Sequence, residues 1–182
     1  MDTLEAIKTR RSIRRYKTTP VDDNILAQVL EAARWSPSWA NTQCWRFIIV
    51  RSDSIKAELA GALSTNNPAT NAIKTAPIVI VVCTELKKSG FYRGEASTVR
   101  GDWFMFDAGL AMENLVLAAH ALGLGTVHVG FFDQRKVEAI LGVPEGFAVV
   151  EMTPLGYPDG EARVTPRKEL TEIVFNEKFG AK

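Results

Sequence analysis

From Trp103 to Leu122 the chain is apolar on nearly every side, and this segment constrains the fold more than any other. A helix that is apolar all round must be covered all round, by lipid, by the centre of a protein or by a second subunit. Lipid is excluded by Asp107, Glu113, Asn114 and His120 within the same stretch. Each acid at mid-bilayer would cost about 2.5–3.5 kcal/mol even on a lenient insertion scale. The segment is therefore expected to be a helix at the core of a fold or in a subunit interface. The whole chain, 182 residues with 46% hydrophobic and 24% charged, is large enough to enclose such a helix in one domain, residues 1–182.

Around this helix the pattern alternates. Leu4 and Ile7 start a short helix towards Arg10. Ile25, Leu26, Val29, Leu30 and Ala33 mark one face of a second, with Asp22 or Asp23 able to cap it. Phe47 to Val50 reads as a strand, Ile55, Leu59 and Leu63 as a helix, and Asn71 to Thr75 as a short helical piece. Ile78 to Cys83 is an unbroken apolar run, mostly β-branched, which predicts a strand covered on both faces. Thr126 to Gly130 and Phe147 to Thr153 are further strands. Asp133 can cap a helix burying Val137, Ile140 and Leu141, and Glu169 to Phe175 forms a last helical turn or two. Glu85 to Asp102, charged and aperiodic, is expected to be a long mobile excursion. Strands and helices interleave without a repeat or linker, so one layered domain of α/β type is expected, with the strand order open.

Charge and cysteine usage narrow the function. A net charge of +1 argues against a general nucleic-acid binder. Cys44 and Cys83 form no CxxC pattern and predict a reduced, cytoplasmic protein, and the acidic start Met1 to Glu5 shows no signal peptide. Gly123, Gly125 and Gly130 do not make a dinucleotide loop, since His128 stands at the third glycine's place and a strand follows instead of a helix. No phosphate-binding P-loop or nucleophile elbow occurs. His120 and His128 have no neighbouring carboxylate pattern, so no metal is expected. Cys44 reads as a packing residue, and Asp107 and Glu113 as paired or capping charges.

Two segments concentrate polar chemistry. Arg10-Arg11-Ser12-Ile13-Arg14-Arg15 offers planar guanidinium forks that match phosphate oxygens, with a hydroxyl beside them. The ordinary alternative is a solvated basic turn. Ser36-Pro37-Ser38-Trp39-Ala40-Asn41-Thr42-Gln43-Cys44-Trp45-Arg46-Phe47 alternates short polar with aromatic side chains between a helix end and a strand. Its amides suit a heterocycle edge and its tryptophans a flat ring, or the segment is a plain loop whose rings fill the core.

Taken together and in register, these motifs resemble the FMN-dependent nitroreductase family over essentially the whole chain. The matching pieces are Arg10-Arg11-Ser12-Ile13-Arg14; Ser36-Pro37-Ser38 with Asn41 and Gln43 leading into Trp45-Arg46-Phe47; and Asn71 with Lys74 before Ala76-Pro77. They continue through Asp107 to Leu115, Gly123 to Thr126, Gly130-Phe131, Leu155 to Pro158 and Pro166-Arg167-Lys168. The resemblance implies an α+β fold, a mixed and largely antiparallel sheet flanked by helices, in an intertwined homodimer with two shared active sites.

It implies that Arg10, Arg11, Ser12 and Arg14 hold the FMN phosphate and ribityl chain, with Arg167 closing the phosphate site. Pro37, Ser38, Trp39, Asn41 and Gln43 would meet the flavin across the dimer interface. Asn71 and Lys74 would lie near the pyrimidine oxygens, and the backbone of Val129, Gly130 and Phe131 near N5. Trp39, Trp103 and Phe131 would wall the acceptor slot. NAD(P)H would give hydride to N5, and a nitroaromatic, quinone or enone would then take it in a ping-pong cycle needing no obligatory side-chain acid; Arg14, Lys74 and Gly130 would tune the flavin. An FMN carrier or sensor without efficient turnover would share every contact, whereas an RNA-binding module would use only the arginines. Three departures stand out: Cys44 where the family commonly has proline, Thr165 where many relatives have lysine, and a C-terminal arm expected to be short. Lys168 and Arg163 are candidates to replace the missing phosphate cation.

Overall fold

The computed structural model describes residues 1–181. Its helices are α1 (Thr3–Thr9), α2 (Asp23–Arg34), α3 (Asp53–Ala60), α4 (Thr70–Thr75), α5 (Phe104–Ala121), α6 (Gln134–Leu141) and α7 (Leu170–Ile173). Its strands are β1 (Trp45–Val50), β2 (Ile78–Glu85), β3 (Phe91–Tyr92), β4 (Glu95–Ala96), β5 (Gly125–Thr126) and β6 (Phe147–Gly156). The main sheet runs β1–β2–β6–β5 with every neighbouring pair antiparallel. A parallel bridge from Ser12 to Thr126 attaches the segment after α1 to the β5 edge. This is the α+β architecture the resemblance implied.

β2 explains the sheet's position. Ile78, Ile80 and Val82 belong to a core cluster with Val29 and Ala33 of α2 and Ala111, Met112 and Leu115 of α5. Val79, Val81 and Cys83 belong to a second cluster with Leu59 of α3, Ile73 of α4 and Val137 of α6. The unbroken apolar run therefore reports cover on both faces, and it does so within an antiparallel sheet. Burying each such side chain contributes about 1.5–3 kcal/mol, so β2 and its neighbours dominate the stability of the domain.

α5 packs Ala108, Ala111, Met112, Leu115, Val116 and Ala119 inward. Its other side is not covered within one chain: Met105 and Phe106 are 59% and 56% exposed. Among the described residues no helix is long and apolar enough to cross a membrane. The caps fall where short acids precede helices. Asp22 accepts from the Asn24 amide at 2.8 Å, and Asp133 from the Lys136 amide at 3.0 Å.

Four elements differ from the sequence reading. The helix read from Ile55, Leu59 and Leu63 ends at Ala60, and Leu63 instead bridges Phe132. The strand expected over Thr126 to Gly130 is regular only at Gly125–Thr126 and resumes as a lone bridge from Val129 to Met152. Pro154 of β6 lies between these two contacts and has no amide to give, so the ladder breaks there. The stretch from Glu85 to Asp102 carries the β3–β4 hairpin instead of a featureless excursion. Arg93 and Gly94 at its tip have φ of 51° and 84°, the left-handed pair that a two-residue hairpin turn demands. The last helical turn is confined to Leu170–Ile173.

Candidate active site

The arginine segment leaves α1 and runs extended along the sheet edge. The Ile13 amide donates to the Thr126 carbonyl at 2.8 Å, and the Tyr16 hydroxyl donates to the Ile13 carbonyl at 2.6 Å. Ile13 packs against Tyr16, Ala72 and Ala76, so the segment also leans on α4. Alternation then turns Arg10, Ser12 and Arg14 to the opposite side from Ile13. Burial pushes the Tyr16 phenol far above its usual range, which keeps it a neutral donor at this anchor. Gly125 allows the close approach, since a Cβ there would meet Ile13 Cγ1 at 2.7 Å.

The two ends of the chain meet at this edge. Arg10, Arg11, Ser12 and Arg14 line a cavity of about 280 Å³ together with Arg163, Thr165 and Arg167 from the C-terminal arm. Five guanidiniums share this cavity, and among the described residues its lining contains no carboxylate. Arg11 spends part of its donor capacity on the Lys8 and Arg10 carbonyls, at 2.7 and 2.8 Å. Arg167 folds onto the Thr165 hydroxyl at 2.9 Å. Like charges gathered this closely repel one another, and an anion with several oxygens relieves that repulsion. Of the two candidates to replace a lysine at position 165, Arg163 reaches the cavity and Lys168 does not line it.

The second polar segment sits at the other end of α5. Asp107 in the first turn of that helix is fully buried, and its carboxylate accepts from the Trp39 amide at 3.0 Å and the Thr42 hydroxyl at 3.3 Å. The Cys44 thiol donates to the same carboxylate at 3.6 Å. Burial and then the Asp107 charge push that thiol up to about 12, so Cys44 is an inert packing residue. Asp107 is therefore neither an ion-pair partner nor a helix cap but the anchor of a loop. Within that loop Ser38 Oγ accepts from the Gln43 amide, and Gln43 Nε2 donates to Asn41 Oδ1, each at 3.0 Å. Pro37, Asn41 and Gln43 are exposed. Trp39 stacks on Trp103 with centroids 5.1 Å apart, and Trp103 meets Phe106 edge-on at 5.5 Å.

The remaining expected residues are distributed as follows. Asn71 and Lys74 stand exposed on α4, and Lys74 lines a separate cavity of about 610 Å³ with Arg51 and Lys56. Val129 is buried and bridged to Met152, Gly130 is exposed, and Phe131 is 74% exposed with its carbonyl accepting from the Asn67 amide group at 3.1 Å. Among the described residues Phe131 stacks with neither tryptophan.

One group escaped the sequence reading. His128 lies between Glu151, 2.7 Å from Nδ1, and Glu113, 3.7 Å from Nε2. Glu113 and then Glu151 hold the imidazole up at about 9, while Glu113 itself is lowered by His128 and Arg10. The carboxylates come from α5 and β6, so only the sheet order brings them together. Near the arginines, the Thr9 hydroxyl already donates to the Glu5 carbonyl and so accepts from His120 Nε2 at 2.8 Å. Burial and then Arg10 and Arg11 push the His120 imidazole below its usual range.

Comparison with known proteins identifies the family and the fold. The sequence pattern of the nitroreductase family matches residues 7–157. A protein of Methanothermobacter thermautotrophicus, provisionally named an NADH dehydrogenase/NAD(P)H nitroreductase, is 36% identical over 87% of this chain and 78% of its own. The crystal structure of a nitroreductase family protein from Clostridium novyi NT superposes with a TM-score of 0.78 at 31% identity, covering 100% of this chain and 96% of that one. An FMN-dependent nitroreductase from Clostridium difficile R20291 gives 0.80 at 25% identity, covering 96% and 99%.

Proposed function

The chain belongs to the nitroreductase family, and from that premise we propose that it is an NAD(P)H-dependent FMN oxidoreductase acting on flat, electron-poor acceptors such as nitroaromatics, quinones or enones. The observation that carries the reading is the acid-free cavity shared by Arg10, Arg11, Arg14, Arg163 and Arg167. Its donor set fits a phosphate monoester, which offers oxygens to several guanidinium forks at once. Similar proteins named for FMN and NAD(P)H support the choice of mononucleotide and electron donor.

FMN, when bound, supplies the hydride acceptance and return that no side chain of this protein offers. The chain's own residues bind and orient it. Arg10, Arg11, Ser12, Arg163 and Arg167 would grip the phosphate and the ribityl chain. Arg14 and Lys74 would set positive charge by the pyrimidine edge, with Asn71 beside them one turn away on α4. The backbone at Val129, Gly130 and Phe131 would face the reactive edge.

Pro37, Ser38, Trp39, Asn41 and Gln43 would serve the flavin of a second subunit. The geometry of α5 supports that assignment. Their anchor is Asp107, whereas the arginines follow Thr9, which meets His120; those two helix positions lie roughly 20 Å apart along the axis. Trp39 and Trp103 of one protomer, with Phe131, would wall the slot entered first by the nicotinamide and then by the acceptor.

The test is spectroscopic. Purified protein is expected to be yellow, to release FMN on denaturation, and to bleach within seconds when NADH or NADPH is added without oxygen. Colour that persists under both donors would favour a carrier, and a colourless protein that takes up no FMN would end the proposal.

A further inference from the structure

We infer that Asp107 is a positioning residue for the substrate slot: from the first turn of α5 it holds the loop carrying Trp39 in a conformation that the loop's own backbone disfavours. The inference rests on the functional reading above in taking the Trp39–Trp103 pair as a wall of that slot.

The loop between α2 and β1 is strained. Ala40, Asn41 and Gln43 have φ of 43°, 56° and 47°, in the left-handed region where non-glycine residues are uncommon. Three such residues in four positions persist only where surrounding contacts over-determine them. Here those contacts come from one face of α5. Asp107 takes the Trp39 amide, the Thr42 hydroxyl and the Cys44 thiol, so it ties the loop before, within and after its strained residues. Two helical turns on, Asn114 donates to Ser36 Oγ at 2.7 Å, and that hydroxyl donates to the Leu110 carbonyl at 3.3 Å. Positions separated by seven residues share a helix face, so one polar stripe on an otherwise apolar helix clamps both ends of the loop.

The Asp107 carboxylate is fully buried, and no cation approaches it among the described ion pairs. A buried carboxyl group is costly unless it is hydrogen-bonded. Here the loop's donors are its hydrogen-bond partners, which couples its burial to loop order. Trp39 is the residue whose amide it holds, and the Trp39 ring stacks on Trp103, four residues before Asp107. The carboxylate thereby sets the position of one ring of the slot relative to the other.

Two variants test this in the flavin-loaded protein. Asp107→Asn keeps the side chain's size and an acceptor for the Trp39 amide but presents N–H groups to Thr42 and Cys44. Thr42→Val removes one tie from the loop side and leaves α5 intact, so it decides the question if Asp107→Asn does not fold. For Asp107→Asn the KM for donor and acceptor is expected to rise at least fivefold while kcat stays within threefold. Cys44 should become alkylable by iodoacetamide, and the near-ultraviolet circular dichroism of the Trp39–Trp103 pair should weaken. Thr42→Val should move the same quantities in the same direction by a smaller factor. A KM within twofold of the parent protein in the folded variants, or a loss confined to melting temperature, overturns the inference. A parent protein that neither binds FMN nor turns over overturns the functional reading instead. Alkylation and circular dichroism of the FMN-free protein then still judge whether Asp107 orders the loop.

Discussion

At the scale of single residues, the arginines of the cavity and the His128 pair of carboxylates carry the decisive charges. Arg163 reaches the arginine-lined cavity and Lys168 does not line it, although both stand near Thr165 in sequence. Arg163→Ala is therefore expected to weaken FMN binding about tenfold, the value of one charge-assisted hydrogen bond, and Lys168→Ala to change it less than about twofold. Fluorescence titration of the flavin-free protein distinguishes them. His128 gives a prediction in pH. Unfolded, the imidazole titrates near 6.5; in the fold Glu113 and Glu151 hold its proton until about 9. Below pH 6.5 both states are protonated and the stabilisation is complete. As pH rises towards 9 the unfolded chain releases its proton first, so this stabilisation falls and is lost above the folded value. The side chain is about a third exposed, so after solvent screening the loss is about 1 kcal/mol. Denaturant midpoints between pH 6 and 9.5 should fall for the parent protein and be flatter for His128→Gln.

At the scale of elements, the decisive contact is the arginine segment against β5. An alanine at Gly125 would place its Cβ 2.7 Å from Ile13 Cγ1, and Ile13 is held by α4 on its far side. Gly125→Ala should cost about 1–3 kcal/mol of stability and lower FMN affinity, because the segment carrying Arg10, Ser12 and Arg14 must lift off the strand. Unchanged FMN affinity in a folded variant would separate that segment from the cofactor. The elements also show how far the sequence could be read. β2 and α5 were legible because an unbroken apolar run and an all-round apolar segment each allow few environments. The arginine cluster was legible as a concentration of positive charge because its chemistry is local. The β3–β4 hairpin was missed because Arg93-Gly94 is a turn signal without the alternation of strands around it. The flanking of His128 was illegible, since it requires knowing that β6 runs beside the segment after β5. Asp107 did leave a signal: a lone acid on an otherwise apolar helix has to be satisfied by something.

At the scale of the whole molecule, large apolar side chains lie open on the surface of one chain. Leu4 and Ile7 of α1, Met105 and Phe106 of α5, and Leu170, Ile173, Val174 and Phe179 of the C-terminal arm are all more than half exposed. The proposed second subunit would cover this apolar surface, and the two halves of the proposed site lie at opposite ends of α5. Sizing of the flavin-loaded protein should give twice the chain mass of 20.1 kDa; a monomeric, fully active holoprotein would undo the shared site. The central claim is that arginines from both ends of the chain hold one phosphate. Affinity for FMN compared with riboflavin, which lacks only that phosphate, addresses it most directly. The account predicts that FMN binds at least tenfold more tightly, and that Arg10→Ala and Arg167→Ala each erode this preference. Equal affinity for the two flavins, or a preference indifferent to both substitutions, would contradict it.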